Sequence, residues 1–459
     1  MPKICDKIEL GFFVMNKIYR SKIIEEIIIR ERNINGIQDI DVLLEKLLSE
    51  VRKYVNADAG SIYIVEGSKL KIKCAQNDTQ LKKLPAGKKL KYVSFSFPID
   101  ETSIAGYVAL TGNTLVIDDV YKLDSNTPYK FNKKPDIENN YRTKSMYSIP
   151  LKISNGKVVG VMQLINAKSH GGKVVKFSKD AEIFINHFAL HTEQALRYAF
   201  LLDDHFKKML RLSEFRDPKE TYLHVERVSL FSLEIYDAYA FKHNISLKEQ
   251  EIFKDNLRIA AKFHDIGKVG ISDLILKKPG RFTDCERDIM KGHTCLGAML
   301  FYPIKSDLDQ MSFDVALYHH ERFDGGATGY PGKNSFHEFN NKFENGSDDK
   351  MSSGMSYGQF FESNSINPSA NSFNVEIGVP LIVKQPLKGE EIPLSARIVA
   401  IADVFDALSH KRVYKEAWSL DDAFDEINKN SGVQFDPELV EAFMNSKDRI
   451  IAIYNAHGE

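Results

Sequence analysis

The densest chemistry in this chain lies in its second half. His264 and Asp265 stand side by side in Phe263-His264-Asp265-Ile266-Gly267-Lys268, behind the apolar run Leu257 to Phe263, so the pair is placed near the end of a buried helix. A neighbouring imidazole and carboxylate buried without partners are costly, and a metal ion offsets that cost because both are good ligands. One such pair is more often a satisfied core pair. The same half adds Glu220, His224, His293, His319, His320 and Asp403. Glu220 and His224 are spaced to share one face of a helix. His293 follows Ile289-Met290, His319-His320 follow Val315-Ala316-Leu317-Tyr318, and Asp403 is embedded in Ile398 to Val404. Each alone reads as structural, but together they are hard to explain as solvated surface. No cysteine joins the set, and nitrogen and oxygen donors point to iron or manganese and, less specifically, zinc. The donors outnumber what one octahedral ion needs, and a carboxylate such as Asp265 can bridge, so two ions is the minimum reading.

The elements that must position these groups belong to a long, mixed chain. At 459 residues it exceeds one ordinary core, so two or three domains are expected. A net charge of −1 gives no basic field for a nucleic-acid polymer. No run of about 18 apolar residues is present, which argues against a membrane span, and the N-terminal stretch lacks the pattern of a secretory signal. Cys5, Cys74, Cys285 and Cys295 are scattered, which fits a reduced, cytoplasmic protein without disulfides or a thiolate zinc site.

In chain order, residues 1–36 read as a helical lead-in, with a patch from Ile18 to Ile29 ending at Asn33-Ile34-Asn35-Gly36. Val42, Leu43, Leu44, Leu47, Leu48, Val51, Tyr54 and Val55 recur at helical spacing. Strands follow at Ala59–Val65 and Leu70–Ala75 around Glu66-Gly67-Ser68, then a helix at Ile104–Leu110 and a strand at Thr114–Ile117. The strands Ser145–Ile153 and Val158–Asn166 flank Asn155-Gly156, a hairpin turn. A helix, an antiparallel sheet and a closing helix predict an α+β domain over 37–180. The stretch resembles a GAF domain in Ala59-Gly60-Ser61-Ile62-Tyr63, Ser103 to Gly112, Ser148-Ile149-Pro150-Leu151 and Gly160 to Asn166. GAF domains take small ligands such as cyclic nucleotides in some cases and only dimerise in others, and both readings stay open here. Residues 181–212 read as a linker helix. Ile185, Phe188, Thr192, Ala195, Ala199, Leu202, Phe206 and Met209 follow a 3-4 spacing, which fits either the seam of a parallel homodimer or a helix packed on its own domain. The position between two domains favours the dimer.

Residues 213–459 closely resemble the HD-GYP family of phosphodiesterases, part of the wider HD metal-dependent hydrolases. The resemblance rests on Asp217-Pro218 with Thr221, His224 and Arg227-Val228; on His264-Asp265-Ile266-Gly267-Lys268; on His293 with Gly297; on His319-His320-Glu321 with Asp324-Gly325; on Gly329-Tyr330-Pro331; on Ala402 to Leu408; and on Arg412 with Tyr414-Lys415. It implies an all-α HD-type helical bundle, joined by the long helix to the GAF domain, that hydrolyses the bacterial messenger cyclic di-GMP to pGpG, GMP or both. By position, His224, His264, Asp265 and Asp403 would hold one metal, and Asp265, His293, His319 and His320 a second. Glu220 occupies the place that brings a third metal in some members. Iron or manganese lead, with zinc, magnesium and nickel behind. Asp265 and Lys268 would be catalytic. Lys268, Arg412, Lys415 and Tyr330 match substrate-facing positions, and Glu321 and Asp324 would orient imidazoles.

Two departures stand out. Gly326-Ala327-Thr328 separates Asp324-Gly325 from Gly329-Tyr330-Pro331 by two residues more than the family pattern, which puts the shape of the substrate-facing loop in doubt. An insertion over 332–385 is rich in Asn, Ser, Phe and Gly, a loop-like composition whose phenylalanines also suit a lid. His337 lies in it and is not counted as a ligand. These departures keep alive a catalytically weak cyclic di-GMP receptor, and an HD phosphohydrolase acting on another nucleotide.

Overall fold

Asp39 caps α1 (Ile40–Val55), its carboxylate accepting from the N–H groups of Asp41 and Val42. The computed structural model describes residues 36–90, 92–153, 155–191, 193–217, 221–337, 385–410 and 417–458, with a few isolated positions besides. The expected helix from Ile18 to Ile29 and most of the 332–385 insertion lie outside the described residues. The chain divides into two units, Met1–Asp203 and Asp204–Glu459.

The first unit is α+β, as the sequence pattern requires. Six strands, β1 (Ala57–Glu66), β2 (Lys69–Asn77), β3 (Ser96–Pro98), β4 (Leu115–Ile117), β5 (Met146–Lys152) and β6 (Val158–Ala167), form one antiparallel sheet in the order β3-β2-β1-β6-β5-β4. Gly67 and Gly156 take positive φ at the β1–β2 and β5–β6 turns, a conformation open to glycine at little cost. The period-two alternation sends Ile62, Ile64, Met162 and Leu164 to one face, where they meet Leu43, Leu44, Leu47, Leu48 and Val51 of α1. Helix α2 (Ile104–Thr111) covers the other face with Ala105 and Val108 against Leu70 and Val161. The expected helix over 180–212 comprises α3 (Lys179–His191) and α4 (Glu193–Arg216), with Thr192 between them outside the described residues.

Part of the 3-4 seam on these helices faces inward. Ile185, Phe188 and Ala199 are buried in the core of the first unit, and Phe206 packs against Leu210 and Phe263 in the second. At these buried positions the alternative of a helix packed on its own domain holds, because a 3-4 spacing specifies a buried helix face but not what buries it. Met209 of the seam is exposed, as are Ile183, Leu190, Tyr198, Leu201, Leu212 and Phe215 of α3 and α4.

The second unit is helical throughout its described residues: α5 (Tyr222–Lys242), α6 (Leu247–Ala260), α7 (Asp284–Lys291), α8 (His293–Met299), α9 (Asp307–Tyr318), α10 (Leu394–Ser409), α11 (Leu420–Lys429), α12 (Pro437–Asn445) and α13 (Lys447–Ala456). Helix α5 packs on α6, α10, α12 and α13, and α9 on α6, α8 and α10. No helix among the described residues is long and apolar enough to cross a membrane.

Candidate metal centre

Local chemistry fixes where each donor sits. Thr221 caps α5 by accepting from the His224 N–H, which holds His224 in the first turn. His264 and Asp265 lie between two short 3₁₀ turns, Ala261–Phe263 and Ile266–Gly270, at the end of α6 as expected. His293 opens α8, His319 and His320 close α9, and Asp403 lies in α10. Gly267 makes the approach of the His264-Asp265 turn to α8 feasible: a Cβ there would overlap the His293 carbonyl and the Gly297 backbone.

The donors converge in two groups. Asp265, His293, His319 and His320 each offer an atom, all within 4.8 Å of one another, and so do His224, His264 and Asp403. Asp265 stands between them, with Oδ1 3.0 Å from His293 Nε2 and Oδ2 3.3 Å from His264 Nε2. The rings are turned outward-in. His264 Nδ1 lies 2.9 Å from the Ala261 carbonyl, His293 Nδ1 2.7 Å from Met290, and His319 Nδ1 2.9 Å from Val315. That leaves each Nε2 aimed at the cluster. The buried Nε2 atoms of His293 and His319, and Asp265 Oδ1, make no hydrogen bond, an arrangement costly for polar atoms unless an ion completes it. The set fits a metal centre of nitrogen and oxygen donors.

Electrostatics agree. Burial raises the Asp265 carboxyl, but Lys268 and the His264 and His293 rings outweigh it and hold the group well below the usual range. Burial lowers the His319 and His320 imidazoles, the neighbouring rings adding to the effect at His320, so both are neutral donors at pH 7. Lys268 Nζ lies 2.6 Å from Asp265 Oδ2.

Tyr330 lies over the second group, its ring stacked on His320 at 4.7 Å and its N–H donating to the His320 carbonyl. The two extra residues before Gly329 are absorbed in a turn closed by Gly329 N–H to the Gly326 carbonyl, with Gly325 at positive φ. The role expected of Glu321 is corrected. It orients no imidazole among its hydrogen bonds: its carboxylate accepts from the N–H groups of Gly332 and Leu387, so it pins the chain just after Tyr330. Asp324 pairs with Arg322 and accepts from Gly326 N–H. Glu220, Arg412 and Lys415 lie outside the described residues.

Arg227 and Asp406, both part of the resemblance, are given no role by the sequence. Asp406 Oδ2 lies 2.7 Å from His224 Nδ1 and the carboxylate accepts from Arg227, while Arg227 also reaches the His457 carbonyl. His224, His410 and Arg227 hold the Asp406 carboxyl well below its ordinary range against burial. Asp406 is buried and one turn from Asp403, a signal that could have singled it out.

Comparisons with known proteins agree with this architecture. Residues 39–196 match the GAF domain model, and residues 221–408 and 384–439 match HD domain models. The chain is 34% identical over 243 residues to a cyclic di-GMP phosphodiesterase of Thermotoga maritima, covering 53% of this chain and 49% of that protein. It is 33% identical over 247 residues to a cyclic di-GMP phosphodiesterase of Vibrio cholerae, covering 53% of this chain and 39% of the relative. A 3'3'-cGAMP-specific phosphodiesterase 2 of the same organism is 32% identical over 235 residues, covering 51% and 33%. The chain thus spans half or less of the length of these relatives.

Proposed function

We propose that this chain, a GAF domain followed by an HD domain, is a metal-dependent phosphodiesterase that hydrolyses cyclic di-GMP to pGpG, GMP or both, under control of the GAF unit. The observation that carries the reading is the position of Asp265, one carboxylate reaching both donor groups. Divalent ions held there supply Lewis acidity toward a phosphodiester and an acidified water. His224, His264 and Asp403 would hold one ion, His293, His319 and His320 another, and Asp265 would be shared. Iron or manganese suits these donors best. A third ion would add Glu220.

The chain's own groups do the rest. Lys268 brings a positive charge to the edge of Asp265, where it suits a phosphoryl oxygen. Tyr330, seated on His320, forms a wall at the same edge. Arg412 and Lys415 are assigned to the second, non-reacting phosphate. The GAF unit takes a small ligand or acts by association alone, and a homodimer would form through the GAF unit and the exposed apolar side chains of α3 and α4. The scattered cysteines suit a cytoplasmic protein.

A second reading is favoured by one relative: the substrate is another cyclic dinucleotide such as 3'3'-cGAMP. An anaerobic turnover assay separates the cases. The full chain is loaded with Fe(II) or Mn(II), given each dinucleotide, and products and metal per chain are followed on one sample. Linear product from cyclic di-GMP with two or three ions per chain is expected. Bound nucleotide without product would make the protein a receptor, and a preference for cGAMP would change the substrate.

A further inference from the structure

His224 differs from its fellow donors in what turns its ring. His264, His293 and His319 each direct Nδ1 to a backbone carbonyl close by in sequence. His224 Nδ1 instead lies 2.7 Å from Asp406 Oδ2, a side chain 182 residues away. Asp406 is itself clamped. Arg227 Nε donates to Oδ1 at 2.6 Å and Nη2 to Oδ2 at 2.9 Å, a two-pronged pair, and His410 Nδ1 lies 3.2 Å from Oδ1. Asp406 and Arg227 are each 2% exposed. Arg227 Nη1 also donates to the His457 carbonyl at 3.1 Å, so the clamp joins α5, α10 and the end of α13.

We infer that Asp406 is a positioning residue for the His224 end of the centre: it accepts a hydrogen bond from Nδ1–H, fixes the tautomer and aims Nε2 at the place where an ion shared with His264 and Asp403 would sit, while Arg227 fixes Asp406. This rests on the metal-centre reading above. The geometry supports it from both sides of the ring. With Nδ1 on a carboxylate, Nε2 carries the lone pair, and Nε2 is the atom that faces Asp403 Oδ1 at 3.6 Å. An anionic acceptor also makes the imidazole a stronger donor than a carbonyl does. A backbone carbonyl cannot be removed by substitution, whereas a carboxylate can. The His224 group is therefore the half of the centre whose metal affinity a distant side chain sets.

The test uses the full-length chain and Mn(II). In metal-free wild type, ¹⁵N-histidine NMR, with the His224 signal assigned by its loss in His224→Gln, should report a neutral ring protonated at Nδ1. Protonation at Nε2 instead would overturn the inference, and this measurement needs no variant of Asp406. In Mn(II) titrations, Asp406→Asn should weaken one binding phase by about 10- to 100-fold and leave the other in place. Two phases unchanged from wild type would overturn it. If wild type binds no Mn(II) in either phase, the metal-centre reading itself fails, a result distinct from the other two.

Discussion

Lys268 Nζ and Asp265 Oδ2 lie 2.6 Å apart, so an ammonium sits on the carboxylate that stands between the two donor groups. The ammonium balances Asp265 in a buried setting and competes with an ion for the same oxygen. Lys268→Met is therefore expected to split binding from turnover. Metal should bind at least as tightly as in wild type, whereas kcat/KM should fall by about 10²-fold, the scale of losing one preorganised charge at a reacting centre. Parallel metal titration and steady-state kinetics check this, and equal loss of metal and activity would refute it.

Gly267 predicts a steric result. Its missing side chain lets the His264-Asp265 turn lie against the His293 carbonyl and Gly297. Gly267→Ala should cost about 1–3 kcal/mol by overpacking and backbone shift, lowering the melting temperature of the second unit by several degrees. An unchanged Tm would mean that the turn can move aside.

Glu321 ties the loop after Tyr330, through the Gly332 N–H, to the chain beyond the insertion, through the Leu387 N–H. Glu321→Ala strands both donors, so the Gly329-Tyr330-Pro331 loop should loosen on His320. We expect KM to rise about tenfold with metal per chain unchanged, a change of about 1.4 kcal/mol in binding. Loss of metal instead would place Glu321 in the ion's own shell.

In the GAF unit, the buried Asp58 carboxylate accepts from Tyr141 and Thr79 and pairs with Lys168. Burial opposes ionisation, but these partners outweigh it and lower the group below its ordinary value. A carboxyl lowered on folding binds fewer protons in the native state. Its stabilisation is complete above its unfolded value near pH 4 and is lost as the pH falls through the lower native value. Asp58→Asn should destabilise the unit by about 3 kcal/mol at neutral pH. The gap from wild type should narrow below about pH 4. Thermal melts across pH 3–7 decide, and a gap constant with pH would rule out this role.

The helix–sheet order of the first half follows from alternation and helical spacing, and the structure places α1, β1, β2, α2, β4, β5 and β6 where those patterns lie. His224, His264, Asp265, His293, His319, His320 and Asp403 were legible because few residue types can ligate a metal, and each stands out when set in an apolar run. What they do to one another was not. What lies against the 3-4 face of α3 and α4 is a matter on which spacing is silent. The place of Asp265 between the two groups, the hold of Glu321 on Gly332 and Leu387, and the contact of Asp406 with His224 each join residues far apart in the chain, or oxygens of one carboxylate facing different partners. Residue type sets which atoms can donate, whereas direction and distance arise only when α5, α9 and α10 close around the His264-Asp265 turn.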